Sequence, residues 1–464
     1  MNAGEWFDAH EQELIDDTCA LVRIPSVSIK TGDPDIPYGQ PCVDVLNLFL
    51  EMGEKLGFQP FNHENYCGTL LWKGESDTEI GICGHLDVVP VGGGWTYEPF
   101  AGIVEDGKII GRGASDNKIA VVTALYVMRY LKELGYKPKH SLRLFVGCSE
   151  ETGMEDLEYY ASHYKEPAFS IITDAPFPVI NGEKGLLEID AKVKKESSVM
   201  TYFQSGAMSN AVPAHAEAIL KISPEQAKAV AATGAAVEEG KEAGTWHVST
   251  EGKPAHAAFP EGSESAQVKL ANMLLDSGVL DEGAKLLMES VVSFFTDYYG
   301  AGLGIPFSDE YSGKLTHVGG MCEYKDGIFW QNINIRYNIK ADRETLVANI
   351  KETMGKYGYE LTGIAGSDPC FTDPASPIVQ DLTAICNKVL ELDLKPYVMG
   401  GGTYARKLKH AVAFGPGIPN RARHFGPNRG GAHQADEYAE VALYRKAFLI
   451  YVESVMRLDE LVEF

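Results

Sequence analysis

What most constrains this chain is an alternation between strand-length apolar runs and helix-length stretches, in which the strand-length runs end in chemistry. Gly81-Ile-Cys-Gly-His85-Leu-Asp87 closes on a histidine and an aspartate. Ser141-Leu-Arg-Leu-Phe-Val-Gly147 runs into Glu150-Glu151, and Phe169-Ser-Ile-Ile-Thr173 into Asp174. The apolar spacing predicts helices between them, near Ile119 to Leu134 and Met154 to Tyr164. Strands alternating with helices predict an α/β fold with a mostly parallel sheet, whose functional groups gather at the carboxyl ends of the strands.

The residues at those ends suit a metal centre. In an extended chain residues i and i+2 point the same way, so His85 can offer one ring nitrogen to a cation while Asp87, on the same side, fixes its tautomer. Neighbours leaving a strand point to opposite sides, so one of Glu150 and Glu151 can ligate while the other faces substrate and takes a proton from water. Asp116 follows the turn Gly111-Arg-Gly-Ala-Ser, and His433 sits in Gly430-Gly-Ala-His-Gln-Ala-Asp-Glu437. Two divalent ions need a shared carboxylate and about two further ligands each, a count that His85, Asp116, Glu151, Asp174 and His433 satisfy. Mixed nitrogen and oxygen donors make zinc the expected ion, with manganese or cobalt tolerated.

Between about residues 186 and 375 the texture changes. Leu187-Glu-Ile-Asp-Ala-Lys-Val193 and Phe329-Trp-Gln-Asn-Ile-Asn-Ile-Arg336 alternate in polarity. Helices are expected near Ser223 to Gly240, Ser263 to Leu275, Ala284 to Tyr298 and Arg343 to Tyr357. This reads as an α+β insertion. The expected organisation is a discontinuous catalytic domain, 1–185 and 376–464, interrupted by a second domain, 186–375. A helix near Ile378 to Leu392, a short Ala411-Val-Ala-Phe414 strand and a closing helix from Tyr438 resume the first pattern.

Composition narrows the partners. With 464 residues and 45% hydrophobic content the chain can bury two cores. A net charge of −24 speaks against nucleic acid and against anionic membrane surfaces. Glu5, Asp8, Glu11 and Glu13 are unlike the basic start of a signal peptide. The eight cysteines are scattered with no Cys-x-x-Cys pair, which predicts free thiols and a cytoplasmic protein.

Several longer motifs carry a resemblance. Gly84-His-Leu-Asp-Val-Val-Pro90, Gly111-Arg-Gly-Ala-Ser-Asp-Asn-Lys118, Ser149-Glu-Glu-Thr-Gly153, Asp174-Ala-Pro-Phe-Pro-Val-Ile-Asn-Gly-Glu-Lys-Gly185 and Gly400-Gly-Gly-Thr-Tyr-Ala-Arg406 resemble the co-catalytic di-zinc exopeptidase and deacylase family. That family includes bacterial dipeptidase V, carnosinases, acetylornithine deacetylase and glutamate carboxypeptidase, and the chain is most similar to the dipeptidase V branch along nearly its whole length. The resemblance implies a zinc-exopeptidase-like catalytic domain with a lid. His85 and Asp174 would hold one metal, Glu151 and His433 the other, and Asp116, followed by a cis Asp116–Asn117 peptide, would bridge them. Asp87 would orient His85, and Glu150 would be the general base. The family usually has aspartate where this chain has Asn117.

The insertion resembles that branch's lid. Gly252-Lys-Pro-Ala-His256-Ala-Ala matches the motif whose histidine stabilises the oxyanion, and Asn210 and Arg336 resemble ligands of the substrate carboxylate. Arginine suits that task through its bidentate fork. Thr403, Tyr404 and Arg406 follow three glycines that let backbone approach a ligand, with bracing of the domain interface the other reading of Tyr404 and Arg406. The implied activity is hydrolysis of dipeptides, extending to β-alanyl and D-residue ones, by water activated between two metals. A lid this long implies a monomer that opens and closes. The nearest rival is an N-acyl amino-acid deacylase of the acetylornithine or succinyl-diaminopimelate type, which would share every ligand. A binding protein on a degenerate hydrolase fold would have lost Glu150 or a ligand, and Phe203-Gln-Ser-Gly-Ala lacks the elbow of a serine hydrolase.

Overall fold

The computed structural model describes residues 1–419, 423–426 and 428–462. The chain divides into two compact units, one of Met1–Gly182, Phe371–Tyr397 and Gly402–Phe464, the other of Glu183–Cys370 and Val398–Gly401. The last segment departs from the expected organisation. Val398–Gly401 joins the second unit because Lys184 N donates to Met399 O (2.9 Å) and Arg336 Nη1 to Gly400 O (3.3 Å).

In the first unit, neighbouring strands run in the order Gln59–His63, Cys67–Trp72, His140–Gly147, Ser76–His85, Phe169–Ile172, Ala411–Ala413. The last four are mutually parallel and the first two join antiparallel at the edge. His140–Gly147 is buried almost throughout, as a strand covered on both faces must be. Ile80, Ile82, Leu142, Leu144 and Ile171 share one core with Val121, Val122 and Leu125 of the helix Ile119–Glu133 and with Phe448, Tyr451 and Val455 of the closing helix Val441–Leu461.

Register then gathers the strand ends. His85 lies opposite Gly147, and Cys83 lies opposite both Phe145 and Ile172. Three adjacent parallel strands therefore leave the sheet at one level, with His85, Glu150-Glu151 and Asp174 at their ends. A small antiparallel sheet adds the missing part: Tyr438–Glu440 pairs with Lys108–Ile110, which pairs with Ile103–Glu105. Tyr438 opposes Ile110, so residues 433–437 lie against the Gly111–Asp116 turn. The closing helix accordingly begins at Val441 instead of Tyr438.

The second unit is an eight-stranded antiparallel sheet packed against helices that include Ala266–Asp276, Glu282–Phe295 and Arg343–Gly355. Burial alternates along Gly185–Lys194, the period of a strand with one face on a core. One helix is shorter than its composition suggests. Pro224–Ala231, opened by a Ser223–Gln226 capping box, stops before Gly234 (φ +94°), and Ala236–Glu239 becomes the edge strand.

Candidate metal centre

Two sets of donors share one carboxylate. His85 Nε2 is 3.0 Å from Asp116 Oδ1 and 3.7 Å from Asp174 Oδ2. His433 Nε2 is 3.2 Å from Asp116 Oδ2 and 2.9 Å from Glu151 Oε1. Within each set the donor atoms lie within 4.8 Å of one another. Bonds of about 2.0–2.1 Å to a tetrahedral zinc place neighbouring donors about 3.3–3.4 Å apart, so these separations suit zinc-sized ions. A cavity of about 490 Å³ opens beside Asp116, Asn117 and Asp174, lined also by Pro176, Ile418 and Tyr444.

Each donor is held from behind. His85 Nδ1 donates to the Asp87 carbonyl (3.0 Å), which turns Nε2 toward Asp116 and Asp174. The Asp87 carboxylate is further from that ring, at 3.4 Å, and accepts instead from Glu150 N (3.2 Å) and Glu151 N (3.1 Å). Asp156 Oδ2 accepts from the two preceding amides, Cys148 N (2.6 Å) and Ser149 N (2.8 Å). Four consecutive amides thus point at two buried carboxylates, and the turn that carries Glu150 and Glu151 is fastened to them. The Asp116–Asn117 peptide is cis. Asn117 uses both halves of its amide: Oδ1 accepts from His85 N (3.3 Å), and Nδ2 donates to Thr173 O (2.6 Å) and Asp174 Oδ1 (3.2 Å).

The electrostatics call for a cation. Burial drives the Glu150 carboxyl well above its usual pKa, with repulsion from Asp174 adding to it, and burial does the same to Asp174 with repulsion from Asp116. Burial also opposes the charge on Asp116, but hydrogen bonds from His433 and His85 outweigh it and hold that carboxyl low. Hydrogen bonds to Asp116 and Glu151 lift His433 to about 11. Burial disfavours a charge on His85, yet its bonds to Asp116 and Asp87 win and raise it. Five carboxyl groups and two imidazoles crowd one site, and divalent ions would stabilise the ionised form of the raised carboxyls.

The remaining candidates fall in both units. In the second unit Ala257 N donates to Asn210 O (2.9 Å), so Asn210 and His256 sit on paired segments. Ala258 N donates to His256 Nδ1 (3.2 Å), which assigns the ring proton to Nε2. Arg336 is nearly buried; its Nε donates to Asn334 Oδ1 (3.0 Å), and its Nη1 reaches Gly400 O, where a Cβ on Gly400 would come within 2.7 Å of Ala258. In the first unit the glycine-rich turn behaves differently from expectation. Tyr404 is fully buried and donates to Asp156 Oδ2 (2.5 Å), so it braces the Ser149–Glu151 turn. Thr403 is buried and caps its own turn by accepting from Ala405 N (3.1 Å), whereas Arg406 is half-buried with its guanidinium over Gly402. Asp156, Arg112 and Glu437 are the supporting residues that sequence reasoning passes over. The last two lie inside motifs read for their neighbours, and Asp156 resembles any acidic residue in a first helical turn.

Overlapping donor sets, with His85, Glu151 and Asp174 at the carboxyl ends of parallel strands, make a candidate two-ion centre on an α/β scaffold. Residues 81–457 match the peptidase family M20/M25/M40, and the chain belongs to that family of metallopeptidases. YtjP of Bacillus subtilis (strain 168), assigned as a dipeptidase, is 32% identical over 97% of both chains. The Beta-Ala-Xaa dipeptidase of Lactobacillus delbrueckii subsp. lactis is 29% identical over 99% of both. Among solved structures, aminoacylhistidine dipeptidase from Vibrio alginolyticus matches with a TM-score of 0.59 over 96% of both chains at 13% identity. The M20 family metallo-carboxypeptidase Sso-CP2 from Sulfolobus solfataricus gives 0.57 over 96% of this chain and 99% of that one, at 18% identity. Likenesses this remote establish the fold. Among the described residues no helix is long and apolar enough to cross a membrane.

Proposed function

We propose that this protein is a metal-dependent dipeptidase working with two divalent ions, zinc first among them. The observation that carries the reading is Asp116, one carboxylate within 3.0 Å of His85 and 3.2 Å of His433. Full-length relatives named for dipeptide hydrolysis support the substrate class, and a β-alanyl amino terminus is the first variant to try.

His85, Asp174 and Asp116 would hold one ion, and Asp116, Glu151 and His433 the other. When bound, such ions supply Lewis acidity that lowers the pKa of water and polarises a scissile carbonyl. Glu150 is the proton carrier. As the carboxylate, made more basic by burial and by Asp174, it accepts a proton from the attacking water and returns it to the leaving amine. The Asp87 and Asp156 carboxylates hold the turn that aims it. His256, with its proton on Nε2, is our candidate donor to the oxyanion. Asn210 and Arg336 are our candidates for gripping the substrate carboxylate, which would favour short peptides. Eight unpaired cysteines and the long insertion favour a monomer in the cytoplasm.

The test strips the protein with chelator and restores zinc, manganese or cobalt separately. Each form is then assayed on free dipeptides and on the matching N-acetyl amino acids. Metal-restored cleavage of dipeptides alone is expected, and Glu150→Gln should keep both ions while losing turnover. Cleavage of the acylated compounds instead would convert the assignment to a deacylase.

A further inference from the structure

The two donor sets share Asp116, but their other donors are supported by different residues. The amide of Asn117 ties His85 to Asp174 and so serves the first set. Behind the second set lies a buried ion pair, Arg112–Glu437 (Nη1 to Oε2, 2.6 Å). Glu437 Oε1 accepts from Asp116 N (3.0 Å), Ser115 N (3.0 Å) and Ser115 Oγ (3.1 Å), and Glu437 O accepts from Gly111 N (2.9 Å). Arg112 donates from Nη1 to Gln434 O (3.3 Å), one residue beyond His433, and from Nη2 to Val91 O (3.2 Å) and Pro90 O (3.5 Å). Its guanidinium also lies over the Trp95 ring, 5.2 Å from the centroid.

We propose that Arg112 and Glu437 are positioning residues for the second metal subsite, setting the separation of Asp116 and His433. The inference rests on the two-metal reading. Its logic is geometric. Asp116 is held at its own amide by Glu437, and His433 is held through its neighbour by Arg112, so the pair spans two of the three donors of that set. His433 needs such a hold because its side chain is about half exposed and its backbone is left-handed at φ +63°. Neither residue of the pair touches Asp174 or the strand that carries His85 by any of these bonds; the first set feels their loss only through the shared Asp116 and should weaken less than the second.

Conservative variants separate positioning from folding. Glu437→Gln keeps an oxygen for the Asp116 amide but turns an amide nitrogen against Arg112. Arg112→Lys keeps the charge but loses the fork that spans Gln434, Pro90 and Val91. Wild-type and variant proteins, stripped of metal, are titrated with zinc against a chromophoric chelator, and thermal unfolding of the stripped forms is recorded alongside. In both variants the second zinc should bind about 10- to 100-fold more weakly, the usual cost of losing a partner behind a ligand. The first should weaken clearly less, since only its shared Asp116 is disturbed, with little change in the unfolding of the stripped form. Two zinc ions bound with wild-type affinities would overturn the inference. So would equal weakening of both sites, which would mark a role in the whole centre, or, with a lowered melting temperature, in folding alone. A wild-type protein that takes up fewer than two ions would instead defeat the two-metal reading.

Discussion

Tyr404→Phe removes a single hydroxyl and with it the 2.5 Å bond to Asp156 Oδ2. Both side chains are fully buried, so solvent does not replace the lost donor. A hydrogen bond to a charged acceptor contributes about 1.5–3 kcal/mol. Burial and the nearby Asp87 charge already raise the Asp156 carboxyl to about 6, against the opposing Tyr404 bond. The sign follows from linkage. A raised carboxyl keeps its proton in the folded protein where the unfolded chain has lost it, so stability falls as pH climbs from about 3.8 to about 6 and then levels. Losing the Tyr404 bond, which favours the ionised form, carries the fall about one to two pH units higher. The variant should therefore be about 2 kcal/mol less stable at pH 8, or about 2–4 °C in Tm, and less affected at pH 5, where Asp156 is protonated in both proteins. Thermal unfolding at the two pH values, with KM measured in parallel, checks this. An equal loss at both would refute the linkage, and an unchanged Tm with a raised KM would place the hydroxyl on the substrate after all.

Asn117→Asp should be costly despite its near-identical shape. It loses the donation to Thr173 O and sets a second carboxyl about 3 Å from Asp174 Oδ1, where two full charges would repel by about 5 kcal/mol at an effective dielectric of 20, enough to keep one of them protonated. The new carboxyl would be raised, so the penalty is absent below about pH 3.9 and complete above its folded pKa. Stripped variant and wild type melting together at pH 8 would contradict this, and added zinc should recover part of the loss. Metal uptake should also release protons. His433 is raised to about 11 by Asp116 and Glu151, so the stripped protein carries its proton at neutral pH. That proton's contribution to stability is complete below about 6.5 and is lost as pH rises through about 11. Calorimetry at pH 8 in buffers of different ionisation enthalpy should detect about one proton displaced from this ring, with zinc affinity rising with pH; uptake without release would contradict the His433 assignment.

The positions of His85, Glu150, Glu151 and Asp174 at strand ends were legible because period-two alternation and apolar runs are local signals. The strand-to-helix order likewise implied parallel strands, and four adjacent strands are parallel. The antiparallel edge was not legible, since pairing direction depends on which strand lies alongside. Similar locality explains why the helix expected to reach Gly240 stops at Ala231: an Ala- and Glu-rich composition says helix, but Gly234 and the neighbouring strand decide otherwise.

By itself, then, the sequence named the candidate donors and placed His85, Glu151 and Asp174 at the ends of strands. Tertiary structure alone decided how those donors meet. Glu151 reaches His433 across 282 residues of chain only because Tyr438–Glu440 pairs with Lys108–Ile110. The same pairing creates the Arg112–Glu437 bond across 325 residues. Tyr404, placed by its glycine-rich motif among candidate substrate contacts, is turned inward to Asp156, 248 residues away. Local periodicity records which face of an element is buried, whereas these contacts depend on register between distant strands, which no short stretch of sequence contains.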